Sequence, residues 1–160
     1  MVGTDRYRRS MPPPTTHVIL VGPMGAGKTT IGRALARRLG LPFRDSDGFL
    51  EQACGADGAT IAATEGVPEL HRLEASAIAS LASVPEPSVI AAAASVVDRP
   101  EGRTILRAHA TVWLDAEPIV LDDRRGRSRH RRHVDAVESA RLTSRRSALF
   151  RSVSIGRIDT

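Results

Sequence analysis

Short unbroken apolar runs alternate along this chain with stretches in which apolar residues return every three or four positions. That alternation predicts an α/β domain. His17-Val18-Ile19-Leu20-Val21 is an apolar run closed by Gly22, as expected for a buried strand. From Lys28 to Leu39, Ile31, Ala34, Leu35 and Leu39 recur at helical spacing, and Gly40 follows as a C-cap. Pro42-Phe43-Arg44 reads as a second short strand running into Asp45-Ser46-Asp47. Helical stretches are expected at 48–53, 60–65 and 68–81, and Ser88 to Ala91 reads as a third strand. Asp98 is placed as the cap of a helix reaching His109, and Ala110 to Leu114 as a fourth strand. A helix at 117–125, an Arg-rich stretch to His133, a helix from Asp135 to Ser152 and a strand from Ser154 to Ile158 complete the pattern. Strands alternating with helices imply a parallel sheet covered on both faces.

Composition narrows this picture. The 160 residues fit one domain, and with aromatics at only 3% the core must be built mainly from Ala, Leu, Ile and Val. No apolar run approaches the ~20 residues that a membrane-spanning helix needs, so no membrane role is expected. Cys54 is the only cysteine, which excludes an intrachain disulfide and a thiolate zinc site and suits a cytoplasmic location. Residues 1–16 carry Arg6, Arg8, Arg9 and Pro12-Pro13-Pro14 without an apolar stretch, and read as a disordered leader to a domain spanning 17–160.

Gly22-Pro23-Met24-Gly25-Ala26-Gly27-Lys28-Thr29 meets the full Walker A pattern, between an apolar strand and an amphipathic helix. Its glycines let successive N–H groups curl inward to form an anion nest at a helix N-terminus. Lys28 would reach the β- and γ-phosphates of ATP, the Thr29 hydroxyl would ligate Mg²⁺, and Thr30 closes the nucleotide-binding segment. Lys28 is also the only lysine in a chain otherwise basic through arginine. A compact ammonium fits between phosphate oxygens where a planar guanidinium fork does not.

Phe43-Arg44-Asp45-Ser46-Asp47, a DxD at the end of a second strand, followed by Phe49-Leu50-Glu51, resembles the shikimate kinase family. The resemblance continues through Gly55, Glu65-Gly66, Glu69-Leu70-His71-Arg72-Leu73-Glu74, Val89-Ile90, Val112-Trp113-Leu114, Arg146 to Phe150 and Arg157-Ile158-Asp159-Thr160. It implies a P-loop kinase fold: a five-stranded parallel sheet, helices on both faces and a mobile lid, here Arg-rich and near 124–133. It also implies ATP-dependent phosphorylation of a ring hydroxyl of shikimate. Asp45 would help hold Mg²⁺ through water. Asp47 would bind the acceptor and orient or deprotonate the attacking hydroxyl, making it catalytic together with Lys28. Phosphoryl transfer is mostly positioning and charge neutralisation, which these residue types supply.

The departures from the family pattern cluster on the acceptor side. His71 stands where the family has an arginine that clamps the acceptor carboxylate, and a histidine offers neither a permanent charge nor a bidentate fork. Arg72 points about 100° away on a helix and does not replace it. The family's Gly-Gly-Gly is Ala93-Ala94-Ser95, and each added Cβ narrows the permitted backbone. Ala62 and Leu70 replace aromatic pocket positions, and Val67 replaces a glutamate. Arg146 matches a family arginine that binds the acceptor carboxylate. Arg124 and Arg127, in the lid, are candidates to reach the transferring phosphate.

These changes leave alternatives to shikimate open: another polyol or cyclitol such as gluconate, or a non-catalytic ATP-binding relative. A nucleic-acid role for Arg124 to His133 is disfavoured, because no aromatic residue interleaves the run to offer base stacking. The expected partner is a small hydroxylated molecule and the expected state a monomer. Thr160 falls directly after the last expected strand, where the family continues. That predicts an exposed sheet side that a partner could cover.

Overall fold

The computed structural model describes residues 16–117, 121 and 136–160. The expected leader and the lid, including Arg124 and Arg127, lie outside the described residues apart from Thr16. Within them the strands are β1 (Val18–Val21), β2 (Phe43–Asp45), β3 (Val89–Ala91), β4 (Ala110–Asp115) and β5 (Gly156–Asp159). The helices are α1 (Lys28–Leu39), α2 (Ser46–Cys54), α3 (Gly58–Thr64), α4 (Val67–Ala82), α5 (Pro100–Arg107) and α6 (Ala136–Val153). A short 3₁₀ helix, Ala94–Asp98, lies between β3 and α5.

All strands are parallel, in the order β2-β3-β1-β4-β5. The five-stranded parallel sheet expected from the resemblance is therefore present. β3 and β2 lie on one side of β1 and β4 and β5 on the other, the chain crossing over β1 between β3 and β4. The topological switch point thus lies at the C-terminal end of β1, where open α/β sheets bind ligands.

Period-two alternation sorts the central strands onto two cores. Ile19, Val21, Ile90 and Trp113 pack with Ile78 and Leu81 of α4, Leu106 of α5 and Phe150 of α6. Leu20, Val89 and Leu114 pack on the opposite face with Ala36, Ile31 and Leu35 of α1 and with Leu121. A third cluster of Leu50, Ile61, Leu70 and Ala77 ties α2, α3 and α4 together beyond the sheet edge. Leu70 and Ala62 belong to this packing. At the outer edge, all four residues of β5 are exposed, and Ile155 and Ile158 present apolar surface there.

Most expected elements shift by one to three residues, but one assignment changes in kind. Asp98 does not cap the helix after β3. The N-cap position is Arg99, with Pro100 at the first helical position and no side-chain cap bond, and the helix ends at Arg107. The Asp98 carboxylate is drawn instead to Arg146 of α6. A charged partner across the fold outcompetes a local backbone donor.

Candidate active site

The phosphate loop follows β1 at the switch point. Its backbone turns through three glycines at positive φ: Gly22 at 145°, Gly25 at 91° and Gly27 at 82°. At Gly22 a side chain is excluded sterically as well, since a Cβ would stand 2.0 Å from the Leu114 carbonyl oxygen. Gly27 is the N-cap of α1 without a side-chain cap bond, and the first turn holds no acidic residue. The helix N-terminus is thus left electrostatically open to an anion. Lys28 is buried, and its Nζ donates to the carbonyls of Gly22 at 2.8 Å and Pro23 at 3.0 Å. The ammonium is held within the loop it serves. Thr160 reaches the same loop from the end of β5, its hydroxyl donating to the Ala26 carbonyl at 3.2 Å.

Next to the loop, Thr29 Oγ1 donates to Asp45 Oδ2 at 2.8 Å, joining the start of α1 to the end of β2. The other Asp45 oxygen accepts the Asp47 N–H at 3.1 Å, so Asp45 is also the N-cap of α2. One carboxylate therefore sets the position of both Thr29 and Asp47. An aliphatic hydroxyl and a carboxylate side by side are oxygen donors of the kind Mg²⁺ selects. Among the described residues there is no cluster of three or more His, Cys, Asp or Glu that could hold a metal by itself.

Ser46, between the two aspartates, carries a contact that the sequence pattern does not announce. It is buried, and its hydroxyl accepts the Ala93 N–H at 2.9 Å, tying the start of α2 to the loop after β3. The only signal was a small hydroxyl residue at a strand-to-helix junction. Ala93 and Ala94 take up ordinary backbone: φ is −58° at Ala93, and no non-glycine residue among those described has positive φ. The 3₁₀ helix that Ala94 opens is fixed from α4, where Glu74 accepts a hydrogen bond from the Ser95 hydroxyl. His71 stands one turn before Glu74 on the same helix and is half-buried. Arg72 turns away to Glu69 (2.5 Å), which raises the guanidinium pKa and lowers that of the carboxyl.

Arg146 is buried on α6. Its Nε lies 3.1 and 3.0 Å from the two Asp98 oxygens, and Nη2 lies 2.5 Å from Oδ2. The structure thus gathers Gly22 to Thr29, Asp45 and Asp47 around the end of β1, with Ala93 fastened beside them. It gives Arg146 an internal carboxylate partner.

Comparison with known proteins agrees with this geometry. A family model described as shikimate kinase matches residues 24–160. The chain is 46% identical over 118 residues to a shikimate kinase of Symbiobacterium thermophilum, covering 72% of this chain and 67% of that one. It is 39% identical over 149 residues to that of Pseudomonas syringae pv. tomato, covering 90% and 86%. Among solved structures, shikimate kinase from Acinetobacter baumannii in complex with shikimate superposes with a TM-score of 0.86 at 29% identity, covering 99% of this chain and 88% of that one.

Proposed function

The chain belongs to the shikimate kinase family, and on that premise we propose that it transfers the γ-phosphoryl group of ATP to a ring hydroxyl of shikimate. The observation that carries this reading is the continuity from phosphate loop to acceptor base: Lys28, Thr29, Asp45 and Asp47 occupy one connected site.

Lys28 is positioned to exchange its two carbonyl acceptors for phosphate oxygens, and its charge neutralises the negative charge on the transferring group. The N–H groups of Gly27, Lys28 and Thr29, at the N-terminal end of α1, would cradle the phosphates. Thr29 and Asp45 would hold Mg²⁺, which supplies further charge neutralisation when bound. Asp47, whose N–H is held by Asp45, would accept the proton of the attacking hydroxyl and orient it. Ser46 keeps Asp47 in register with the loop at Ala93, which borders the acceptor. Arg124 and Arg127 are the lid cations proposed to close over the phosphates. His71, Ala93, Ala94 and Arg146 are the acceptor-side positions. The setting we propose is a monomer acting in the cytoplasm.

A coupled assay of ADP release with shikimate, quinate, gluconate and neutral cyclitols tests this. Shikimate should stimulate release in a Mg²⁺-dependent way. A folded protein that binds ATP yet releases no acceptor-dependent ADP would refute the reading and favour a non-catalytic relative.

A further inference from the structure

We propose that Asp98 is a specificity-determining residue, holding Arg146 as an internal counter-ion so that the acceptor is recognised through its hydroxyls rather than through a carboxylate. This rests on the phosphoryl-transfer reading and narrows its acceptor.

The placement of Arg146 follows from register. Phe150 of α6 stacks on Trp113, with ring centroids 5.9 Å apart, and Trp113 is level with Val21, the last residue of β1. Arg146 lies one turn earlier on α6. Because α6 runs back toward the start of β5, one turn earlier is about 6 Å further toward the C-terminal edge of the sheet, where the cleft opens. Asp98 ends the 3₁₀ helix whose other end, Ala94–Ser95, adjoins the loop fastened to Ser46 beside Asp47. The ion pair therefore stands at the far end of an element that borders the site.

Lys28 and Arg146 are the buried cations among the described residues. Lys28 serves the phosphate loop. Arg146 presents its Nε and Nη2 edge to Asp98, the same fork with which an arginine grips a ligand carboxylate. The side chains are only 10% and 17% exposed, so the pair is largely desolvated. An incoming carboxylate must either displace Asp98 or take the end-on Nη1/Nη2 edge beside a charge of its own sign that already neutralises the guanidinium. A neutral ring meets no such obstacle. His71, without a permanent charge, does not restore a clamp.

The test uses shikimate and its methyl ester, which share ring and hydroxyls and differ by one charge. The wild-type protein should show KM values for the two within about threefold, a difference below ~1 kcal/mol. Asp98→Asn keeps the shape and a hydrogen-bond acceptor but removes the counter-charge. It should lower the KM for shikimate by about tenfold or more while leaving that for the ester in place, and adding Arg146→Met should abolish the gain. The proposal is overturned if the wild type prefers shikimate to its ester by more than about tenfold, or if Asp98→Asn leaves the ratio unmoved. Should that variant fail to fold, the wild-type ratio decides alone. If neither compound elicits ADP release, the phosphoryl-transfer reading has failed. Calorimetric titration of both compounds into the ADP-loaded protein then decides this one. Comparable affinities support it, while tighter binding of shikimate by more than about tenfold, or binding of neither, refutes it.

Discussion

Replacing Gly22 with alanine tests how the phosphate loop is built. The added Cβ would sit 2.0 Å from the Leu114 carbonyl oxygen, whereas an ordinary C···O contact needs about 3.3 Å. The loop must therefore draw back from β4 by about 1.3 Å, since the obstacle is backbone and cannot rotate aside. The φ of +145° adds a strain of roughly 1–3 kcal/mol for any residue with a side chain. With the β1–β4 packing that the shift loosens, we expect a loss of about 3–5 kcal/mol in stability. For a domain of this size that lowers Tm by about 6–20 °C.

Two other glycines separate the contributions. Gly40 has a φ of +70° and open space around it, so Gly40→Ala isolates the backbone term at about 1 kcal/mol. In α5, Gly102 carries no positive φ, but a Cβ would meet the Val96 carbonyl at 2.2 Å, so Gly102→Ala isolates the collision at about 1–3 kcal/mol. Thermal melts with and without MgATP give the readout. At ATP near 100 times its Kd the wild type should gain about 2.7 kcal/mol, and Gly22→Ala should gain nothing because the Gly22 carbonyl also positions Lys28. A Gly22→Ala protein that melts close to wild type and keeps its ATP shift would sink the argument. So would a Gly40→Ala protein that is equally damaged.

Lys28→Met, which keeps the stem and removes the ammonium, should cut kcat by at least about 10²-fold while the protein stays folded, checked by single-turnover phosphoryl transfer. Ser46→Ala leaves the buried Ala93 N–H without its acceptor and should cost about 1–3 kcal/mol in a urea melt, with a raised acceptor KM; Ser46→Thr should recover most of both. Burial, and secondarily the neighbouring His17 ring 5.0 Å away, hold the His109 imidazole below its usual pKa of 6.5. A depressed folded pKa means that this stabilisation is complete above pH 6.5 and is lost as pH falls through the lower folded value. Urea midpoints should therefore drop on acidification below that point, and the slope should flatten in His109→Gln; an unchanged slope would contradict the assignment.

Much of the fold was legible because its signals are local. A short, largely β-branched run such as Val18 to Val21, closed by Gly22, reads as a buried strand, and Gly40 after a 3.6-residue period ends a helix at αL geometry. The phosphate loop was legible because the nest is made by consecutive residues: three glycines, one lysine and one threonine act on neighbouring backbone. The DxD at Asp45 and Asp47 was legible by spacing from that loop. Element ends were less so. Pro100 opens α5 and the strand β5 begins two residues late, because tertiary hydrogen bonds rather than propensity decide where pairing stops.

The acceptor end depends on residues far apart in the chain, and there local pattern had nothing to report. Asp98 looked like a helix cap, since an aspartate before a helix has a nearby N–H to accept. Only the packing of α6 across the 3₁₀ helix brings Arg146, 48 positions away, to its carboxylate. Ser46 looked like a spacer between two aspartates until the β2–β3 pairing put Ala93 opposite it. By itself the sequence determined the phosphate-loop pattern from Gly22 to Thr29, because a nest is a property of one continuous segment. The partner of Arg146 was decided by tertiary structure, because a buried arginine takes its character from whichever carboxylate the fold sets against it.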